Sequence, residues 1–176
     1  MKPLQPIALG LIIIALHAEL PSGHDIFADP IGWVLVLVGT AKAQLANARR
    51  RTLQTLGLIA LLVAGVLWFP DLAETLHGTD PGVIWALNLP QLGFTAYLCV
   101  ALAETAAPVD PPARNWLRFT AGWILIAGVL PVLAFGAGIG ILEEWFPIVA
   151  GLSLLMLICL MFVYAGRRWA RLDVPA

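Results

Sequence analysis

Charge is what this chain has least of. Only 12% of its 176 residues are Asp, Glu, Lys or Arg, about half the share of a water-soluble domain. Sixty per cent of the residues are hydrophobic and the mean hydropathy is +0.89. That composition leaves too little polar surface to cover a globule in water, so the solvent for most of the chain is lipid. The net charge of -1 excludes nucleic acid as a partner on charge grounds. Cysteine is almost missing. Cys99 and Cys159 both lie in apolar runs, without CxxC spacing or a nearby His. Neither a disulfide framework nor a thiolate metal site is indicated, and both read as buried free thiols. There is no Gly-rich phosphate loop, no nucleophile elbow and no Ser–His spacing. No cofactor is implied and no motif supports catalysis, so the reading leans away from an enzyme. No apolar run carries a charge at its centre, which argues against a proton relay or ion pump.

What the chain does have is long apolar runs. A membrane-spanning helix needs about 20 mostly apolar residues. Six runs qualify, at about 4–20, 30–47, 53–69, 82–106, 117–138 and 147–165. They predict an all-α integral membrane bundle of six transmembrane helices, one domain over residues 1–176. The first run has the make-up of a signal peptide. However, Leu16 stands where a cleavage site wants a small residue, so an uncleaved helix is expected.

The breaks between runs alternate in charge. Lys2, Lys42, Arg49, Arg50, Arg51, Arg114, Arg118, Arg167, Arg168 and Arg171 fall on one set of breaks. Glu19, Asp25, Asp29, Asp71, Glu74, Asp80, Glu143 and Glu144 fall on the other, which has no Lys or Arg. The positive-inside rule then places both termini in the cytoplasm. Trp33, Trp68, Trp85 and Trp145 are expected at the outer boundary and Trp116 and Trp169 at the inner one, where an indole finds both apolar and wet partners. Trp123 lies deeper and is expected between helices. The chain also divides into three hairpins, 1–50, 51–112 and 113–176, each returning through a helix that starts near a proline. An internal threefold repeat and the common grammar of membrane hairpins both fit.

The junction "HDIFADPIGWVLVLVG" sets acids and a histidine directly against an apolar run. Asp29 is placed to cap the second helix, with Pro30 in its first turn. Gly32 leaves room for a neighbouring helix or lets Trp33 turn to the interface. His17, Glu19, His24 and Asp25 have no such explanation. Ionised groups at that depth persist when paired, wetted or used, so these four form the candidate functional set. A Glu19 pair with His17 or His24 would raise the histidine pKa above about 6.5. His17, His24 and His77 share the outer side with eight carboxylates, a ligand set competent for zinc or manganese, although no paired-His helix motif is present. In the fourth run, Asn88, Gln91 and Thr95 share one helical face beside Pro90. They can line a solute cavity or bond neighbouring helices as structural glue, and glue is the favoured reading. Pro131 followed by "GAGIG" predicts a helix that loosens before the outer face, with small residues permitting close approach.

Asp25, Asp29, Gly32 and Trp33 fit D-x-x-x-D-x-x-G-[YW]. This pattern resembles a junction found after the first span of small bacterial multi-pass membrane proteins of uncharacterised activity. The resemblance covers about residues 20–40. It implies a bacterial inner-membrane protein and no particular chemistry. Size and topology are similar to those of substrate-capturing membrane subunits of energy-coupling vitamin transporters, with no shared motif. Three functions are expected candidates. The first, and favoured, is an accessory subunit acting through a membrane-protein partner or homo-oligomer in the bilayer. The second is a solute-binding or transport subunit with an outer-facing cavity. The third is an outer-face metal-binding protein or enzyme.

Overall fold

The structure is a computed structural model and describes residues 2–16, 29–69, 75 and 81–170. Among these residues it is all-helical, without a β-strand. The helices are α1 Leu4–Ala15, α2 Asp29–Lys42, α3 Asn47–Leu67, α4 Pro81–Ala106, α5 Pro111–Pro131 and α6 Ile141–Tyr164. A π-helical turn, Val132–Gly136, follows α5, and a 3-10 turn, Arg168–Ala170, follows α6. Four of the helices, α3 to α6, are long and apolar enough to cross a membrane. The described parts of α1 and α2 hold 12 and 14 residues, and at 1.5 Å per residue they rise only about 18–21 Å. Leu62, Leu125, Leu152 and Val163 point outward with 60–63% of their surface exposed. Apolar side chains turned out all round a bundle are the make-up of a membrane-embedded protein.

Each helix packs on the next in chain order, and α6 returns to α1, so the bundle closes on itself. Lipid tails are as apolar as Leu, so packing here depends on close contact rather than on the hydrophobic effect. The tightest seam is α1 on α2. Gly32 and Gly39 lie seven residues apart, on one face of α2. A Cβ at Gly10 would run into the Gly32 carbonyl oxygen and sit 2.8 Å from a Val36 methyl. One at Gly32 would lie 2.7 Å from the Gly10 carbonyl oxygen, and one at Gly39 would lie 2.9 Å from the Ile7 nitrogen. The expected room at Gly32 is thus filled by the backbone of α1. Trp33 differs from expectation: it is 1% exposed, and its ring meets Phe94 of α4 edge-on at 5.2 Å. With Gly32 turned to α1, Trp33 is the next residue round α2 and enters the core. Trp123 differs in the opposite sense. It is 38% exposed and stacks edge-on with Phe119, itself edge-on to Trp116, along the outward face of α5. Trp68, Trp116 and Trp145 are exposed near helix ends, as an interfacial indole should be. Cys99 is buried but Cys159 is exposed on α6.

Two helices start earlier than their apolar runs. α5 begins at Pro111, six residues before the run at 117, because Asp110 caps it: its Oδ1 accepts the Ala113 N–H at 3.2 Å, and prolines fill the first two positions. α6 begins at Ile141 with Glu143 and Glu144 in its first turn, where the helix dipole favours acids. Pro147 therefore sits inside α6 rather than at its start. The described part of α2 starts at Asp29, which places this carboxylate in the first turn, where the helix dipole favours an acid.

The basic α2–α3 junction is built, and its three arginines do different things. Arg50 Nη2 donates to the carbonyls of Ala43 at 3.1 Å and Leu45 at 3.3 Å, closing the turn. Arg49 pairs with Glu104 of α4, and Arg51 is exposed. A hydrogen bond from a charged donor contributes about 1.5–3 kcal/mol net of its alternatives in water, and one nitrogen shared between two carbonyls counts as about one such bond. Arg50→Ala is therefore expected to lower the unfolding free energy in detergent by about 2 kcal/mol, with Arg51→Ala near neutral. Equal effects in a denaturant titration would count against the clamp.

Candidate functional site

The break after α5 creates the site. Pro131 has no N–H to give the carbonyl one turn back, and its ring crowds that turn. Beyond it the N–H of Val132 donates to Val129 rather than to Gly128. The Gly128 carbonyl is then free to accept from the indole Nε1 of Trp85 on α4, at 2.8 Å. The chain widens into the π-helical turn 132–136 and reverses at Gly138, whose φ of 69° suits only glycine without strain. The predicted loosening after Pro131 is present. Its glycines do not pack, however: Gly138 and Gly140 have no neighbour within 4 Å of an added Cβ.

Between α4, the broken end of α5 and the start of α6 lies a cavity of about 460 Å³. Pro131 and Ala127 form one wall. Phe135 and Phe146, edge-on at 6.0 Å, form another. Trp85, Asn88 and Gln91 face them from α4. The Asn88 Nδ2 donates to the Ile84 carbonyl at 2.9 Å, one turn back on its own helix, which leaves its Oδ1 as an acceptor. The Gln91 amide, half-buried, makes no hydrogen bond among the described residues and offers both a donor and an acceptor. Thr95, the third member of the predicted face, is turned inward. Its hydroxyl bonds the carbonyls of Gln91 and Leu92 on its own helix. Of the two readings of this face, both amides line a cavity, and among the described residues neither bonds a neighbouring helix. An apolar pocket of this size with a few convergent polar groups is the usual form of a small-molecule site.

Of the other candidate residues, Asp29 lies in the first turn of α2, remote in sequence from the cavity lining. His17, Glu19, His24, Asp25 and His77 lie outside the described residues, and the metal reading and the Glu19–histidine pair lie there with them. Among the described residues no group of three His, Cys, Asp or Glu side chains could hold a metal ion.

A second polar centre, not anticipated from the sequence, lies at the other end of the bundle. Asp110 Oδ2 accepts the indole N–H of Trp169 at 3.2 Å and faces Arg167 Nε at 3.7 Å. Trp169, expected at the lipid interface, is instead buried against Tyr164, ring centroids 5.7 Å apart. The signal was readable in part: Asp before two prolines marks a helix cap and a turn. Its partners come from residues 59 and 57 positions away and leave no local pattern.

No protein-family model, no curated protein and no solved structure matches the chain.

Proposed function

We propose that this is a membrane-embedded binding protein for a small, largely apolar solute that carries a hydrogen-bonding group. The observation that supports it most is the cavity of about 460 Å³, with the Gln91 amide, which bonds no other described residue, set among Trp85, Phe135, Phe146 and Pro131. Aromatic walls give the solute dispersion contacts, and Asn88 and Gln91 give it a direction. A bare accessory subunit has no need for such a space. The reading extends to topology: all six helices cross a bacterial inner membrane, with both termini cytoplasmic. It is supported by the charge pattern, because the cavity lies near Glu143 and Glu144, whereas Lys2, Lys42, Arg49 and Arg167 gather at the opposite helix ends. The cavity then opens toward the outer side.

Two experiments test these statements. In a cysteine-free background, Arg51→Cys is expected to resist a membrane-impermeant maleimide in intact spheroplasts and to react after permeabilisation. Labelling before permeabilisation contradicts the orientation. For the cavity, β-naphthol and naphthalene differ by one hydroxyl. Wild-type protein in nanodiscs is expected to bind β-naphthol saturably above empty discs. Gln91→Leu should weaken that binding roughly 3- to 10-fold, the worth of one net hydrogen bond, and leave naphthalene unchanged. Only linear partitioning, equal to that of empty discs, defeats the proposal.

A further inference from the structure

The basic end of the bundle carries a groove of about 640 Å³. Three segments far apart in sequence line it: the α2–α3 turn at Gln44, the end of α4 with the turn Pro108–Asp110, and the C-terminal turn at Gly166–Trp169. Arg167 and Arg168 line it, and the Lys2 ammonium lies over Gly166, 3.6 Å from where a Cβ would be. The one carboxylate in the lining, Asp110, is already engaged by Arg167, the Trp169 indole and the Ala113 N–H. Among the described residues, Arg167, Arg168 and the neighbouring Lys2 therefore stand against a single lining carboxylate that is already bonded. Val109, 68% exposed, borders the groove, and Phe162 and Val163 expose apolar surface in the last turn of α6, the helix that leads into it.

We infer that this groove is a binding site for a phosphate-bearing anion, and specifically for the phosphodiester headgroup of an anionic lipid whose chains lie along Phe162 and Val163. The groove combines the two things such a lipid needs: excess positive charge with no free counter-carboxylate among the described residues, and exposed apolar side chains on the helix that leads into it. Basic pockets at helix ends hold anionic headgroups in this way. The guanidinium of Arg168 can bond two phosphate oxygens at once, and the Lys2 ammonium adds a mobile point charge. Trp169, tied to Asp110, holds the C-terminal turn in place so that the two arginines stay on the groove wall.

The site is independent of the solute cavity, and its test leaves that cavity untouched. Full-length protein in neutral detergent is mixed with phosphatidylglycerol or with phosphatidylcholine of the same chains, and lipid retention is read by native mass spectrometry. The expected result is retention of phosphatidylglycerol over phosphatidylcholine. Lys2→Gln combined with Arg168→Gln should lower that retention by roughly tenfold or more. Arg114→Gln combined with Arg118→Gln removes the same charge from α5 outside the groove lining and should leave retention near wild type. Lys2→Arg with Arg168→Lys should keep it, which separates lost charge from lost folding. Millimolar inorganic phosphate distinguishes the sources. Displacement shows that the site reads phosphate itself, and resistance shows that it reads the whole lipid; either supports the site. Equal retention of both lipids, or equal loss in both charge-removal variants, overturns it.

Discussion

Gly10→Val is expected to unfold the first hairpin. A Cβ at position 10 meets backbone, the Gly32 carbonyl oxygen, before it meets any movable side chain, and Val36 stands behind it. Relief requires α1 and α2 to move apart along their whole contact, because Gly32 and Gly39 hold the same seam at the next positions. Overpacking a tight contact costs about 1–3 kcal/mol, and collision with backbone places Val at or above the top of that range. A large fall in the thermal midpoint, or loss of folded protein from the detergent extract, is the expected result. Gly151→Ala on α6 is the contrast. Nothing lies within 4 Å of its added Cβ, and replacing a helical glycine by alanine gains up to about 1 kcal/mol. Similar behaviour of the two variants would show that the α1–α2 seam is not closely packed.

Ala127→Trp is expected to abolish saturable β-naphthol binding while the protein remains folded. Ala127 is 4% exposed and forms the cavity wall beside Pro131. An indole there projects into the space that the solute needs. Ala150→Phe fills the same cavity from α6 and guards against a folding defect peculiar to position 127. Binding that survives both substitutions in folded protein would place the solute elsewhere.

How much of this was legible in the sequence depends on the range of the signal. Helix class came from composition, and the break after α5 from Pro131 and the glycines beyond it, because a missing N–H acts within one turn. The pairing of Asn88 with Gln91 on one face was legible from spacing alone. Whether that face met a neighbouring helix or a cavity was not, since the answer rests on the distance to Phe135 and Phe146. Trp33 was misplaced because hydropathy does not say which side of a helix a glycine turns toward its neighbour. α5 and α6 begin before their apolar runs, because such runs mark where lipid begins, while helices begin at their caps. Asp110 escaped because Arg167 and Trp169 reach it from the far end of the chain. The outer histidines and Glu19, the candidates weighted most, lie outside the described residues, and the solute reading does not depend on them.

The most direct measurement is the position of a bound solute. Protein crystallised from lipid with bromo-β-naphthol allows the bromine to be located by anomalous scattering. The account predicts one bromine within the cavity bounded by Trp85, Gln91, Pro131, Phe135 and Phe146, with the hydroxyl within hydrogen-bond reach of the Gln91 amide. Bromine found only along the lipid-facing surfaces of α3, α5 and α6, with the cavity empty, would contradict it.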